Sequence, residues 1–119
     1  MAFKFENLQV WHRALELSDE INQLTKTFPK DELFILTSQI KRAADSVVLN
    51  IAEGCTRQTN AVFKTFLGYS LRSAIEVVSC LFLAQKRNII HDENFKKLYD
   101  EYEVLIKMIT ALRNSIQKP

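Results

Sequence analysis

The chain is poor in the residues that interrupt helices. Its 119 residues include only two glycines and two prolines. A chain of this length with many strands needs many tight turns, for which glycine and proline are the usual residues. The composition therefore excludes most all-β and α/β folds and favours a few long helices with short links. We expect one domain, spanning residues 1–119, with a single hydrophobic core.

Residues for several kinds of chemistry are also scarce. The cysteines Cys55 and Cys80 have no CxxC spacing, so we interpret them as small buried side chains rather than as redox or metal ligands. His12 and His91 are far apart in the sequence and have no carboxylate or histidine partner at helical spacing. Neither glycine belongs to a phosphate-binding loop. We therefore expect no metal, no cofactor and no enzymatic activity.

Long hydrophobic runs and a strong excess of one charge are missing too. The first residues are too polar for a signal peptide, and no apolar run approaches the roughly 20 residues of a membrane span. These features predict a cytoplasmic protein that does not enter a membrane. Sixteen Lys and Arg against 14 Asp and Glu give a formal net charge of +2. That charge is well below the charge of a dedicated nucleic-acid-binding tail.

Apolar residues recur at three- and four-residue steps along four segments of the chain, which is the pattern of amphipathic helices. The short links between these segments force neighbouring helices to run antiparallel. The predicted fold class is therefore all-α, an up-down-up-down four-helix bundle. We predict helices over residues 8–26, 32–55, 60–86 and 93–117.

Cap residues mark several of the predicted helix ends. Asn7, Thr59 and Asp92 are residue types that accept hydrogen bonds from the first turn of a helix, so we expect them to be N-caps. Gly54 is in the usual place for the C-cap of the second helix, where a left-handed backbone conformation favours glycine.

The second predicted helix has a polar face beside its apolar one. Small and directional polar groups recur there, as expected where another helix approaches closely. We interpret them as a structural network, with Glu76 of the third helix as a partner for Arg42 or Arg72. A hydrolytic site with Glu53 as general base is an alternative, but it needs a cleft that a filled bundle lacks. The expected network contains Arg42, Ser46, Asn50, Glu53 and Glu76.

The third predicted helix has apolar residues on two sides, so it contacts more than one neighbour. The second side contains Val62, Tyr69, Ile75 and Leu83. It could face another subunit. It could also dock a different protein, in which case the chain is a protein-interaction scaffold.

Basic residues cluster around the second helix, the following link and the fourth helix. On a single copy they form a solvated face interleaved with acids. In a ring of identical subunits they would repeat around one rim, and their summed field could hold the phosphates of DNA or RNA. The residues that we expect to contact phosphate are Lys41, Arg57, Lys64, Lys96 and Lys97.

Several motifs resemble a known family. The residues that carry the resemblance are Phe5-x-x-Leu8-x-Val10-Trp11, Phe28-Pro29, Glu32-Leu33-Phe34-x-Leu36-Thr37, Gln39-Ile40-x-Arg42-Ala43-Ala44-x-Ser46-Val47, Asn50-Ile51-Ala52-Glu53-Gly54 and Phe66-Leu67. The chain resembles the bacterial four-helix bundle proteins first noted as products of intervening sequences in large-subunit ribosomal RNA genes. That family includes the accessory variability protein of diversity-generating retroelements.

The resemblance implies a fold, an assembly and a class of partner. Members of the family are antiparallel four-helix bundles that assemble as homopentameric, barrel-like rings. The retroelement relative binds nucleic acid and its reverse transcriptase through a positively charged surface. The resemblance therefore implies a non-enzymatic homopentamer that binds nucleic acid as an accessory factor, with a reverse transcriptase as a candidate protein partner. The chain departs from the family pattern at Arg72, where a smaller residue is usual, so we expect a looser helix contact there.

Overall fold

The structure, a computed structural model, describes residues 2–56 and 59–117. Within these residues it contains α-helices and short helical turns but no strand. The all-α fold class is therefore confirmed. The four helices are α1 (Gln9–Thr25), α2 (Ser38–Gly54), α3 (Asn60–Lys86) and α4 (Asp92–Ser115).

Each helix runs antiparallel to the helices beside it. Gln39 at the beginning of α2 contacts Glu76, whereas Ser46 and Val47, farther along α2, bond to Ser73 and Ser70, which lie nearer the beginning of α3. Contacts between α1 and α4 and between α3 and α4 also join the beginning of one helix to the end of the other. α1 contacts α2 and α4, and α3 contacts the same two helices. The result is four antiparallel helices around one core.

Apolar residues at the predicted periodicity form that core. The buried cluster takes residues from all four helices. Leu17 and Ile21 of α1, Ile51 of α2, Leu81 of α3 and Ile109 of α4 have no exposed surface. Burying a side chain of this size stabilises the fold by about 1.5–3 kcal/mol. The apolar stripes of the sequence thus pack against one another, as the periodicity predicts.

Two of the three predicted N-caps are wrong, and both differ by one residue. Leu8 is the N-cap of α1, because residues 4–7 form a separate 3-10 turn. His91 is the N-cap of α4, and Asp92 is instead the first residue of that helix. Thr59 is confirmed, since its hydroxyl accepts a hydrogen bond from the Val62 backbone N–H at 3.1 Å.

Gly54 is not a left-handed C-cap. It is the last residue of α2, Cys55 is the C-cap, and no described glycine has a positive φ. A Cβ atom at position 54 would overlap the Cβ of Phe66 on α3. Glycine is needed here because α3 approaches the α2 backbone closely, rather than because of a special backbone angle.

The second helix begins differently from the prediction. Residues 33–37 form a π-helical turn, which contains one more residue than an α-helical turn, and α2 follows at Ser38. Leu36 and Thr37 of this turn are buried, whereas Leu33, Phe34 and Ile35 are exposed. The wide turn therefore leaves three consecutive large apolar side chains on the surface.

Candidate nucleic-acid interface

The polar face of α2 forms a hydrogen-bond network where α3 crosses it. Ser73 of α3 donates to the Ser46 hydroxyl at 2.8 Å. The Asn50 side-chain amide donates to the hydroxyl and the backbone carbonyl of Ser46, both at 2.9 Å. All three side chains are half-buried. The expected network is therefore present at Ser46 and Asn50.

The charged members of the expected network are arranged differently. Arg42 donates to Ser38 of its own helix at 3.2 Å, and Glu76 accepts a longer bond from Gln39 at 3.4 Å. The expected pairing of Glu76 with Arg42 or Arg72 is therefore wrong, because neither arginine forms an ion pair with Glu76 within the described residues. Glu53 is exposed and makes no hydrogen bond with any described residue. Because these charged side chains are exposed, water solvates them and no buried partner is needed.

Sequence reasoning missed a buried hydrogen bond between α3 and the backbone of α2. Ser70 is fully buried, and its hydroxyl donates to the Val47 backbone carbonyl at 2.9 Å. Arg72 is exposed, so it does not separate the helices. The expected loosening of the contact at Arg72 is therefore wrong. The available signal was a small polar residue, Ser70, at an apolar position of the helical repeat of α3.

Two of the predicted phosphate contacts are already in ion pairs. The Lys96 ammonium lies 2.9 Å from Asp100, and that of Lys97 lies 2.8 Å from Glu20. Hydrogen bonds to these carboxylates raise the pKa of both lysines, so both stay charged. Each positive charge is balanced by a neighbouring acid, which weakens its attraction for a phosphate.

The other predicted phosphate contacts differ in their surroundings. Lys41 is exposed and lines a surface depression together with Asp19 and Asp45, so two carboxylates are near it. Lys64 is half-buried on the first turns of α3, and within the described residues no carboxylate forms an ion pair with it. Arg57 lies outside the described residues.

Lys64 lies beside a second cation that the sequence did not single out. The Arg113 guanidinium on the last turns of α4 donates from Nε to the Lys64 backbone carbonyl at 2.9 Å. Arg113 is half-buried and lies beside Gly68 of α3. The bond fixes the end of α4 against the beginning of α3, so Arg113 and Lys64 belong to the same end of the bundle.

Lys4 is at the same end of the bundle. Its 3-10 turn packs against α1 and α2. Burial raises the pKa of the Cys55 thiol, and the nearby Lys4 ammonium partly opposes that effect. Lys4 is therefore close to the residue at which α2 ends. We call Lys4, Lys64 and Arg113 the basic end.

The basic end has few acids to neutralise it. Two carboxylates belong to the same end by their position in the chain: Glu6, which accepts a bond from the Phe3 backbone N–H at 3.0 Å, and the exposed Glu53. Within the described part of the chain, none of its three cations takes part in an ion pair. The sequence could not reveal this set, because Lys4 and Arg113 are near opposite ends of the chain and meet only through the antiparallel topology.

The seam between α1 and α4 has the opposite character. Glu101 is paired with Arg13 at 2.9 Å, and Lys97 lies between Glu20 and Glu101. The cations along this seam are thus matched to carboxylates. Compared with the cations of this seam, the cations of the basic end are less neutralised by carboxylates.

A groove between α3 and α4 has an almost wholly apolar lining. Ile75 and Val78 of α3 face Tyr99 and Ile106 of α4, and the groove has a volume of about 210 Å³. Ile75 is 58% exposed. Tyr69 and Leu83 of the same predicted side are also exposed, so this side of α3 lies away from the core, and its contact with another subunit or protein stays a prediction.

A family model matches residues 6–111, and its description is 23S rRNA-intervening sequence protein. The chain belongs to this family. The match covers most of the chain, including the motifs of α2 and the beginning of α3 on which the resemblance rested.

A solved member of a similarly described family has the same fold. A crystal structure of a protein of unknown function from the S23 ribosomal protein family of Bacteroides thetaiotaomicron superposes with a TM-score of 0.83 at 24% identity. The alignment covers 89% of this chain and 96% of that chain. No curated protein matches this member of the intervening-sequence family.

The third helix has a high mean hydropathy. An 18-residue window of α3 has a mean hydropathy of 1.4, so by length and composition this helix could cross a membrane. The helix contains Arg72 and Glu76, so it is not an uninterrupted apolar run. The finding is weak evidence for a membrane, because core helices pass the same test, and 33% of the window is buried in the bundle.

Proposed function

We propose that this intervening-sequence protein is a non-enzymatic, cytoplasmic homo-oligomer, a pentameric ring, that binds nucleic acid as an accessory factor. The observation that supports the proposal is the basic end, where Lys4, Lys64 and Arg113 lie at the same end of the bundle without an ion pair among the described residues. Phosphate groups of either DNA or RNA are the chemical partners of such a cluster.

Assembly explains how a weakly charged chain can bind a polyanion. One copy has a net charge of +2 and offers only a few phosphate contacts. In a ring with rotational symmetry, the same end of every copy faces the same side. The basic ends would then surround one rim, and their contacts with a continuous phosphate backbone would add.

A salt titration of binding to single-stranded RNA and to duplex DNA tests the proposal. We compare the wild type with the double variant Lys4→Gln/Lys64→Gln. Each phosphate contact contributes about 0.7 to the slope of log K against log salt for a single strand and about 0.9 for a duplex. The double variant should therefore bind more weakly and have a shallower slope.

The matched control is Lys96→Gln/Lys97→Gln, which removes the same number of positive charges from lysines that are ion-paired. It should leave the slope close to that of the wild type. Absence of binding at low salt, about 50 mM, would remove the proposal. An equal loss in both double variants would show that net charge rather than the basic end governs binding.

A further inference from the structure

Two apolar features lie on the surface of the bundle, one protruding and one concave. The first is a protrusion formed by Leu33, Phe34 and Ile35, which we call the knob. Phe34 is 89% exposed, the largest exposure among the large apolar side chains of the described chain. The second feature is the groove between α3 and α4 lined by Ile75 and its neighbours.

The knob is held in a fixed position although it projects into solvent. Leu36 is 1% exposed and Thr37 is 5% exposed, so the π-helical turn is anchored in the core on one side. Just before the turn, Glu32 accepts hydrogen bonds from Arg87 at 3.2 and 3.3 Å. A rigid apolar protrusion loses little conformational entropy when another surface covers it.

The groove has room for one aromatic side chain. An apolar cavity of about 150 Å³ is large enough to hold benzene, and the groove measures about 210 Å³. Its lining is almost free of polar atoms, so it can accept a phenyl ring without leaving a hydrogen-bonding group unpaired.

Charged residues beside the two features match as well. Lys30 and Asp31 precede the knob, and Glu103 and Lys107 line the edge of the groove. All four are exposed, and none takes part in an ion pair within residues 2–56 and 59–117. Each feature thus has one cation and one anion available for a partner.

We propose that Phe34 of one copy inserts into the groove between α3 and α4 of the next copy. This proposal rests on the oligomer proposed above and names its interface. Asp31 would lie near the neighbouring Lys107, and Lys30 near the neighbouring Glu103. The knob and the groove belong to different elements, so the contact is heterologous. Such contacts repeat head to tail and form a ring when the rotation closes.

Two single variants each remove one side of the contact. Phe34→Ala deletes the knob, and Ile75→Glu places a charge in the groove. Both positions are exposed, so both variants should fold, which circular dichroism will check. Phe34 has the properties of an interface hot spot, so its loss should weaken association about 30-fold. Sedimentation of each variant should show a smaller mass than the wild type.

Mixing the two variants tests the heterologous geometry directly. The Phe34→Ala copy has an intact groove, and the Ile75→Glu copy has an intact knob. A mixture should therefore form a one-to-one dimer, with twice the 13.8 kDa mass of one chain, and should not grow further. The matched control, Val104→Glu, changes an apolar residue of α4 that is 52% exposed and does not line the groove. It should retain the wild-type mass.

Several outcomes would overturn this interface. If folded Phe34→Ala and Ile75→Glu retain the wild-type mass, the copies associate elsewhere and the groove is free for a different protein. If both dissociate but the mixture gives no dimer, the contact joins identical surfaces instead. A monomeric wild type would remove the interface and the ring together. Nucleic-acid binding at the basic end would still be decided separately by the salt titration.

Discussion

Gly54 shows how a single residue can be essential for a reason different from the one its sequence position suggests. A glycine at the end of a helix usually provides a left-handed backbone conformation. Here the backbone is ordinary, and the missing side chain lets Phe66 pack directly on α2. The sequence predicted that position 54 favours glycine, but not that the reason is the close approach of α3 to α2.

A pair of alanine substitutions separates these two reasons. Gly54→Ala should lower the free energy of unfolding by about 1–3 kcal/mol, because its Cβ overlaps Phe66 and the helices must move apart. Gly68→Ala is the control, since the nearest atom to its new Cβ is Arg113 Nε at 3.8 Å. It should raise stability by about 0.5–1 kcal/mol, as alanine favours a helix interior. Urea unfolding measures both, and equal effects would contradict the packing argument.

Tyr102 is a buried residue whose hydroxyl has no partner among the described residues. The side chain is 1% exposed. Burial, reinforced by the nearby acids Glu20 and Asp45, raises its pKa above the ordinary value of 10.0. The folded protein therefore keeps this tyrosine neutral at pH values at which the unfolded chain ionises.

The raised pKa of Tyr102 has a defined effect on stability. Its contribution is constant below pH 10.0, where both states hold the proton, and is lost as the pH rises above that value. Tyr102→Phe should remove this alkaline loss while changing stability near neutral pH by no more than about 1 kcal/mol. Urea midpoints for both proteins across the alkaline range measure the difference. Parallel pH profiles would show that Tyr102 does not contribute to the loss.

At the scale of elements, the existence and type of the helices followed from the sequence, and the boundaries of α3 matched the prediction. The apolar period is a strong signal over the length of a helix. The π-helical turn before α2 was not predicted, because the same apolar residues fit the beginning of an ordinary helix. The network between α2 and α3 was predicted only in part, since a polar face indicates a close neighbour but not which groups meet.

The α2–α3 network predicts a larger loss of stability for a residue that belongs to it than for an exposed residue on the same helix. Asn50→Ala removes two hydrogen bonds to Ser46 and should lower the free energy of unfolding by about 0.5–1.5 kcal/mol. Glu53→Ala lies on the same helix but is exposed, so its effect should stay within about 0.5 kcal/mol. Chemical denaturation of the two variants is the measurement. A larger loss for Glu53→Ala would mean that Glu53 has a partner in the assembly.

At the scale of the whole molecule, the sequence predicted the topology but not the distribution of charge. Short links require antiparallel neighbours, and this constraint alone places the two chain ends together. Lys96 pairs with Asp100 of its own helix, a four-residue spacing that is visible in the sequence. Lys97 pairs with Glu20 of α1, a partner that only the folded chain brings near. Carboxylates on a different helix can be assigned to a lysine only once the rotation of each helix about its axis is known.

The mass of the native protein is the prediction that belongs to this scale. A pentamer should have five times the 13.8 kDa mass of one chain, which native mass spectrometry can measure. Because each copy would add its own phosphate contacts, the salt dependence of binding should be steeper for the wild type than for dissociated Phe34→Ala. The same slope for both proteins would show that one copy binds alone.

The π-helical turn also affects how this surface can evolve. A wide turn holds one residue more than a regular one, so deleting Ile35 could convert it into ordinary helix while the pattern from Ser38 onward stays in phase with the core. Deletion of a single codon could thus remove the projecting side chains from the surface without disturbing the core. If copies associate through this projection as proposed, one small deletion or insertion would remove or restore that association.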